Sequence, residues 1–414
     1  MNLRYKYINY VKPEHQNVLY LMTKTFRVKN NYSLYEAMQQ ANKLQSALSV
    51  WIVRPQEENP RNRVFFTCNT KDLEDVLSTH SNSVRRVETD FELSNIQWVG
   101  YVYMDKAYLK SDLEFFLKVT RYCKEHSINL IEVDSNVFVP TEIASDKEEY
   151  SARTIRKKIT DKLLEFEDTV LEDAVGCTGE RNALKQLNDF IETKLNHYDN
   201  RNDPSIDYLS GLSPYLKYGL LSPVTIYETM KNLKSEAKDV FLEELIVRRE
   251  LAYNFVLYNK DYDQFHHMTY DWAYRSMKEH ANDTREYIYT IDDYINANTH
   301  DVYFNTAMKE MISLGKMHSY MRMYWCKKII EWSKTHEEAY DIAIHLNNTY
   351  FLDGNTPNGY AGVAWCFGKH DRAWSSRNIF GKLRYMNSNG LVRKFDMDNY
   401  IKRIELEIEK GENI

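Results

Sequence analysis

The hydrophobic periodicity of the chain changes about a third of the way along its 414 residues, and this change constrains the fold more than any other feature. In the first third, short apolar runs alternate with segments whose apolar residues recur every three or four positions. Alternating strands and helices of this kind predict βαβ units and a mostly parallel sheet. The predicted strands cover 17–22, 47–53, 84–88, 98–104 and 129–134, and the predicted helices cover 33–44, 70–80 and 112–126. No G-x-G-x-x-G motif follows the first strand and no P-loop occurs, so the two commonest nucleotide pockets are excluded.

The strand signals stop near Glu142, where a charged helical segment begins. We expect the following stretch, 178–204, to be an exposed crossover that ends in a loop. After Ser205 nearly every segment has the period of a helix, and the predicted helices cover 239–258, 276–290, 302–315, 318–334 and 336–351. A chain of this length is too long for one ordinary core, so the two patterns predict an α/β domain followed by an all-α domain.

Composition and cysteine spacing narrow the class of protein. Apolar runs stay short of the ~18 residues of a membrane span, and the N-terminus lacks the apolar stretch of a signal peptide. The five cysteines show no CxxC spacing, which indicates reduced thiols in a soluble intracellular protein, in the nucleus, the cytoplasm or a viral context. No metal site is expected, because the nearest candidate, His266 and His267, is typical of a solvated loop. The net charge of −6 neither requires nor excludes nucleic-acid binding by a local basic face.

The segment 318–387 is rich in tryptophan. It holds four of the seven in the chain, namely Trp325, Trp332, Trp365 and Trp374. In the predicted helix 318–334, Arg322, Trp325 and Trp332 share one face because of their spacing. A bare tryptophan face is typical of a core, but a buried arginine needs a partner, for which Asp353 is the candidate. Buried aromatic rings beside an Arg/Asp pair fit a site that holds a flat cofactor and moves electrons.

Three further segments carry candidate chemistry, and each has a plainer alternative. The glycine-rich loop at 352–365 would let backbone approach a ligand closely, although glycine turns are common. Ser210 and Ser213 precede a predicted helix, where hydroxyl and N–H groups suit phosphate oxygens or simply cap a turn. Three carboxylates, Glu243, Glu244 and Glu250, lie among arginines. They could be acid/base groups or, more plainly, part of a salt-bridged surface.

Several long strings carry a resemblance to a known family. They are ASDKEEYSARTIRKKI, LSPYLKYG, FLEELIVRREL, DTREYIYT, GKMHSYMRMYWCKKIIEW, LDGNTPNGY and FGKLRYMN, in the family's order. In these strings the chain resembles the class II cyclobutane pyrimidine dimer photolyases of the photolyase/cryptochrome family. The resemblance implies an α/β antenna-type domain with a parallel, Rossmann-like sheet at 1–140, a helical crossover and linker at 141–204, and an all-helical domain at 205–414 that binds FAD and the DNA lesion.

The resemblance also implies a reaction. The protein would be a monomeric DNA repair lyase, in which reduced FADH⁻ donates an electron under blue light to a pyrimidine dimer flipped out of UV-damaged DNA. The cyclobutane ring would then split and the electron would return. Whether an antenna chromophore is bound stays open, because the segment 22–31, MTKTFRVKNN, lacks the acidic residues that the family usually has around Arg27.

Site roles carry over from the family residue by residue. Glu244 matches the catalytic carboxylate that hydrogen-bonds the dimer. The residues that match the lesion pocket are Met323, Trp365 and Arg384. The residues that match the FAD site are Ser210, Leu212 and Ser213 at the phosphates, Arg322 and Asp353 beside the flavin ring, and Asn347 near flavin N5. Trp325 and Trp332 match tryptophans of the chain that reduces the flavin.

One departure from the family falls on this electron path. The family usually has Asp-Pro-Leu-Trp-Asn where this chain has Asp-Val-Tyr-Phe-Asn, so Phe304 replaces a tryptophan. Phenylalanine is much harder to oxidise than tryptophan. We therefore expect photoreduction of the flavin to be slowed, or rerouted through Tyr303, Tyr324 or Tyr289.

Two other functions are compatible with the same residues. One is a cryptochrome-like photoreceptor that signals without repair, and the other is a repair-deficient homologue that only binds damaged DNA. Retention of Glu244, Met323, Trp365 and Arg384 favours the repair lyase.

Overall fold

The computed structural model describes residues 4–56 and 59–412. The chain forms two compact units that interleave along the sequence. The first unit comprises Met1–Asp146, Ile155–Ile191 and Gly211–Glu250, and the second comprises Lys147–Thr154, Glu192–Ser210 and Leu251–Ile414. The division at residues 140 and 204 that the family resemblance implies stays a prediction.

The first unit contains a six-stranded sheet in the order β1-β6-β5-β2-β3-β4. Its strands are β1 (Tyr5–Asn9), β2 (Val18–Met22), β3 (Leu48–Val53), β4 (Ser83–Val87), β5 (Tyr101–Asp105) and β6 (Asn129–Val133). All neighbouring pairs are parallel except β1 with β6, which is antiparallel. The predicted α/β class and the five predicted strands are confirmed. The edge strand β1 was not predicted, because its sequence YKYIN is only partly buried and lacks an apolar run.

The core of this sheet explains why the strands read as continuous apolar runs. Every residue of β2 is buried, as parallel strands are when helices cover both faces. On one face, Leu19 and Leu21 of β2 belong to a buried cluster with Phe116 and Val119.

Helices follow most of the strands along the chain. Those in the first 230 residues are α1 (Tyr32–Leu44), α2 (Pro60–Asn69), α3 (Leu73–Leu77), α4 (Lys110–Glu125), α5 (Thr141–Ala144), α6 (Ala152–Thr160), α7 (Leu163–Phe166), α8 (Thr178–Thr193), α9 (Ser213–Lys217) and α10 (Pro223–Met230). Short 3₁₀ turns lie at Leu93–Ile96 and Leu195–Asn200. The predicted exposed crossover at 178–204 is wrong in its first half, because α8 buries Ala183, Leu187 and Phe190 along one face.

The remaining helices lie mostly in the second unit. They are α11 (Glu236–Leu242), α12 (Arg249–Tyr258), α13 (Asp271–Glu279), α14 (Ile291–Ile295), α15 (Val302–Leu314), α16 (Ser319–Trp332), α17 (His336–Tyr350), α18 (Pro357–Cys366), α19 (Ser388–Lys394) and α20 (Met397–Glu412). A π-helical turn at Glu243–Arg248 joins α11 to α12, and a 3₁₀ turn lies at Phe265–His267.

The predicted helix at 276–290 is wrong beyond Glu279. The carboxylate of Asp283 lies 2.6 Å from Nδ1 of His280 and accepts a hydrogen bond from the Ile379 backbone, which holds the chain out of helical conformation. A capping box at Thr290, with Asp293 as its partner, then begins α14. Tertiary contacts of single polar side chains override the local periodicity here.

Candidate functional site

The candidate residues lie in both compact units. Leu212, Ser213 and Glu244 belong to the first unit, and the other predicted site residues belong to the second.

In the first unit, Glu244 lies in the π-helical turn between α11 and α12. Turns of this kind are rare and occur frequently at functional sites, because the extra residue re-aims side chains along the helix. The neighbouring Glu243 forms two hydrogen bonds with Arg156, at 3.0 and 2.7 Å. Glu244 is about one-third exposed and has a longer contact, 3.4 Å, with Nε of Arg248. The two carboxylates therefore differ, since Glu243 forms a bidentate ion pair with Arg156 and Glu244 lies 3.4 Å from Arg248.

Glu250, the third carboxylate of this segment, supports the fold by binding backbone groups. It is buried, and its oxygens accept hydrogen bonds from the backbone N–H groups of Phe138 and Val139. Burial raises the pKa of Glu250 to about 8. For Glu250, the expectation of a salt-bridged surface is wrong.

The candidate phosphate segment begins helix α9. Gly211 has a φ of +69°, and a Cβ there would lie 2.9 Å from Nε2 of Gln186, so this turn requires glycine. Leu212 is buried and Ser213 is the first residue of α9. Ser210 lies in the second unit.

In the second unit, Arg322 and Asp353 form an ion pair. Nη2 of Arg322 donates to Oδ1 of Asp353 at 2.8 Å, and Nε donates to the Met317 carbonyl at 3.3 Å. The guanidinium also stacks on Phe351, with 3.9 Å between Cζ and the ring centroid. Three contacts thus fix the plane of the Arg322 guanidinium.

Asn347 of α17 lies against two glycines. A Cβ at Gly354 would lie 2.3 Å from the Asn347 carbonyl oxygen, and a Cβ at Gly359 would lie 2.7 Å from its Nδ2. Asn347 is buried and donates from Nδ2 to Asn348 at 2.9 Å. The predicted glycine-rich loop at 352–365 is wrong from Pro357 onward, because the proline begins helix α18 behind a Thr356 cap. Gly354 lies before the start of α18 and Gly359 lies in its first turn, and both allow Asn347 to approach closely.

Trp365 and Arg384 form a stack that includes a second tryptophan. Cζ of Arg384 lies 5.0 Å from the Trp365 ring and 4.2 Å from the Trp374 ring. Oδ2 of Asp371 accepts from Nε of Arg384 and from Nε1 of Trp374, both at 3.2 Å. The candidate set from the sequence lacks Trp374 and Asp371, although both belong to the string HDRAW.

A buried lysine joins the helices that carry the candidate lesion-pocket residues. Nζ of Lys327, on α16, donates to the Cys366 carbonyl at the end of α18. Burial lowers the pKa of Lys327. Met323 lies one turn earlier on α16 and is half-buried. This hydrogen bond fixes the end of α18, next to Trp365.

The two candidate electron-transfer tryptophans lie on α16, about 10 Å apart along the helix axis. Both are buried, and Nε1 of Trp325 donates to the sulfur of Met308 at 3.0 Å. Trp332 contacts Phe304 at 5.2 Å and Tyr289 at 5.5 Å between ring centroids. Of the three tyrosines proposed for a rerouted path, Tyr289 therefore touches Trp332, and Tyr324 instead donates to the Asp301 carboxylate.

Comparison with known proteins agrees with this architecture. The chain is 40% identical over 423 residues to the deoxyribodipyrimidine photo-lyase of Methanothermobacter thermautotrophicus, which covers 94% of each chain. It is a member of the photolyase/cryptochrome family. The DNA photolyase family profile matches residues 18–174. The deoxyribodipyrimidine photo-lyase of Arabidopsis thaliana is 39% identical over 341 residues, covering 70% of this chain and 68% of the relative.

Solved structures of the photolyase/cryptochrome family share the fold. A cryptochrome from Synechocystis sp. PCC6803 superposes with a TM-score of 0.75 at 14% identity, covering 97% of this chain and 90% of the cryptochrome. An archaeal photolyase from Sulfolobus tokodaii, whose crystal structure has two FAD molecules, gives 0.67 at 16% identity, covering 94% of this chain and 89% of that photolyase.

Two further properties concern the described part of the chain. Within residues 4–56 and 59–412, no group of three or more His, Cys, Asp and Glu side chains could hold a metal ion. No helix among these residues is long and apolar enough to cross a membrane.

Proposed function

We propose that this chain is a class II photolyase that uses light and reduced FAD to split cyclobutane pyrimidine dimers in UV-damaged DNA. The observation that carries the proposal is the stack of Trp365, Arg384 and Trp374, which Asp371 orders at one carboxylate oxygen. A flipped-out base needs a flat aromatic partner, and such stacking contributes about 1–3 kcal/mol per base. Arg384 adds a positive charge to the stack, which suits binding to the negatively charged DNA.

Residues of the second unit fit a flavin ring. The fixed guanidinium of Arg322 is a planar cation, and a nearby arginine favours the anionic form of a flavin. Asn347 offers an amide where Gly354 and Gly359 allow close packing. Reduced FAD, when bound, would supply the electron that light makes available. Arg322, Asp353 and Asn347 would orient the ring, and Ser210 would bind a phosphate.

For residues of the first unit we propose the roles that the family resemblance implies. Leu212 and Ser213 would contact the FAD phosphates at the start of α9. Glu244 would hydrogen-bond the pyrimidine dimer, and its exposure permits this role. Glu243 is less suited to the role, because its carboxylate already forms a bidentate pair with Arg156. Met323 would contact the lesion beside Trp365, and Trp325 and Trp332 would carry electrons to the flavin.

A single repair assay tests this function. The purified flavoprotein, reduced with dithionite, is mixed with an oligonucleotide that contains one thymine dimer and is illuminated with blue light. We expect thymine absorbance to recover in the light and to stay constant in the dark. Trp365→Ala should abolish most of the recovery, whereas the control Trp98→Ala, which removes a ring packed against the sheet core, should retain it.

The other functions predict different results in the same experiment. A flavin spectrum without affinity for the dimer would support a cryptochrome-like photoreceptor. Affinity for the dimer without light-dependent recovery would support a homologue that only binds damaged DNA. Either result would refute the repair lyase.

A further inference from the structure

Lys327 is a buried cation of the second unit to which the proposed function gives no role. Its side chain is fully buried, and its Nζ donates a hydrogen bond to the Cys366 carbonyl at the end of α18. In the part of the chain that the structure describes, Lys327 forms no ion pair with a carboxylate. A buried charge with so little compensation is costly. Costly arrangements of this kind are concentrated at functional sites, so the surroundings of Lys327 are informative.

The ammonium group of Lys327 lies close to the proposed lesion pocket. Met323 precedes Lys327 by four residues, so the two side chains share one face of α16 and lie one turn apart. Nζ of Lys327 lies 6.0 Å from the centroid of the Trp365 ring. A pyrimidine stacked on Trp365 at the usual contact distance of about 3.5–4 Å would therefore lie within about 10 Å of the ammonium group.

The charged side chains near Trp365 in this unit carry a net positive charge. Arg384 lies 5.0 Å from the ring, and Asp371 accepts a hydrogen bond from Arg384 at 3.2 Å. Burial is the main cause that lowers the pKa of Lys327, whereas Asp371 raises this pKa and Arg384 lowers it. Two cations thus face one carboxylate. This excess of positive charge suits a bound group that becomes negative during the reaction.

We propose that Lys327 stabilises the negative charge that the pyrimidine dimer acquires when it takes up an electron. The dimer takes one electron from reduced FAD, the two bonds that join its pyrimidines break, and the electron returns. Lys327 therefore exchanges neither a proton nor an electron. The inference rests on the proposed function, because a repair lyase places an electron on the dimer.

The size of the effect follows from the distance. A unit positive charge about 10 Å away, at an effective dielectric constant of about 20, favours addition of an electron by about 10–20-fold in the equilibrium constant. Part of this advantage should appear in the fraction of absorbed photons that split a dimer, because a stabilised negative dimer loses its electron less readily before the ring opens. Lys327 would act at this distance without touching the dimer.

A plainer role for Lys327 is to cap α18. A cation at the end of a helix hydrogen-bonds the last carbonyls and complements the helix dipole. The two roles differ in what removal of the charge does to stability. Loss of a cap lowers the melting temperature, whereas replacement of a poorly compensated buried charge by an apolar side chain leaves it unchanged or raises it.

Two substitutions separate the charge from the hydrogen bond. Lys327→Gln keeps an N–H donor and loses the charge, and Lys327→Met loses both but keeps an unbranched chain. Each protein is reduced with dithionite, saturated with an oligonucleotide that contains one thymine dimer, and illuminated with blue light to measure the quantum yield of splitting. We expect both substitutions to lower the quantum yield about 3–10-fold. In the dark, the ratio of affinities for dimer-containing and intact oligonucleotides should not change, because the dimer is then uncharged.

The next residue provides a matched control. Lys328 is also buried, but its Nζ forms an ion pair with Glu331 and lies 5.4 Å from the Trp332 ring. Lys328→Met should therefore keep the quantum yield of the unsubstituted protein. Dithionite supplies the electrons in this assay, so an effect of Lys328 on photoreduction would not enter the measurement.

Two further readouts test the charge itself. Ethylamine, which is protonated at neutral pH, should restore the quantum yield of Lys327→Ala, whereas ethanol, a neutral molecule of similar size, should not. The melting temperature of Lys327→Met should be equal to or above that of the unsubstituted protein.

Several outcomes would overturn the role of Lys327. They are an unchanged quantum yield in Lys327→Gln or Lys327→Met, equal rescue of Lys327→Ala by ethanol, and a clearly lower melting temperature in Lys327→Met, which would indicate a cap. Failure of the reduced, unsubstituted protein to split the dimer would instead refute the proposed function, so the two failures are distinguishable.

Discussion

Asp371 offers the sharpest test of how the stack of Trp365, Arg384 and Trp374 is ordered. Its carboxylate oxygen Oδ2 accepts one hydrogen bond from Arg384 and one from Trp374. Asp371→Asn keeps the size of the side chain but can no longer attract the guanidinium by charge. A hydrogen bond to a charged group contributes about 1.5–3 kcal/mol when buried. Arg384 is 38% exposed, so solvent screening reduces this contribution to about 1–2 kcal/mol.

This loss should appear as reduced discrimination between damaged and intact DNA. We expect the ratio of the two affinities to fall about 5–30-fold in Asp371→Asn, the factor that corresponds to 1–2 kcal/mol. Fluorescence anisotropy with matched oligonucleotides, with and without one thymine dimer, measures the ratio at fixed salt. The control Asp173→Asn removes an equal charge from an exposed site and should change both affinities together. An unchanged ratio in Asp371→Asn would show that the stack does not depend on this carboxylate.

Three further substitutions test other parts of the structure. Phe304→Trp should speed flavin photoreduction, measured under blue light with a thiol, because it adds an oxidisable ring against Trp332; unchanged kinetics would contradict this. Gly359→Ala should weaken flavin retention on gel filtration, because its Cβ would meet Nδ2 of Asn347 at 2.7 Å, whereas Gly362→Ala has open space and should be neutral or stabilising by up to about 1 kcal/mol. Wild-type stability should fall as pH rises from 4.5 to about 8, by at most ~1.4 kcal/mol per pH unit, since native Glu250 holds a proton that the unfolded chain releases. Glu250→Gln should flatten this part of the profile of Tm against pH, and an identical profile would exclude the buried proton.

Most of the sheet could be predicted from the sequence because its central strands are buried on both faces. Val18–Met22 and Leu48–Val53 are apolar runs flanked by polar turns, and the structure buries every residue of both. The edge strand Tyr5–Asn9 lacks that signal, since it pairs on one side and stays partly exposed. Periodicity reports burial, so it identifies the central strands most clearly; of the two exposed edge strands, it found Ser83–Val87 and missed Tyr5–Asn9.

The stack of Trp365, Arg384 and Trp374 was only partly predictable for a different reason. Trp365, Asp371 and Arg384 are separated by six and thirteen residues, spacings that fit no single helix or strand. Their contacts arise from a chain segment without regular structure, which folds back so that Trp374 lies on Arg384. The sequence identifies the residue types, but only the fold shows that Asp371 accepts hydrogen bonds from both Arg384 and Trp374.

The places where local periodicity fails coincide with the candidate chemistry. The periodicity after Glu279 predicts a helix, but Asp283 and the Thr290 cap keep this segment non-helical. In this conformation Tyr289 contacts Trp332. The helix around Glu244 likewise departs from regular α-helical geometry, through its π-helical turn. Such departures are costly unless the surrounding structure supports them, so they are expected where function requires a particular side-chain position. On this reasoning, a substitution that restored helix across 280–290 would move Tyr289 away from Trp332 and should slow photoreduction if the electron path runs through Tyr289.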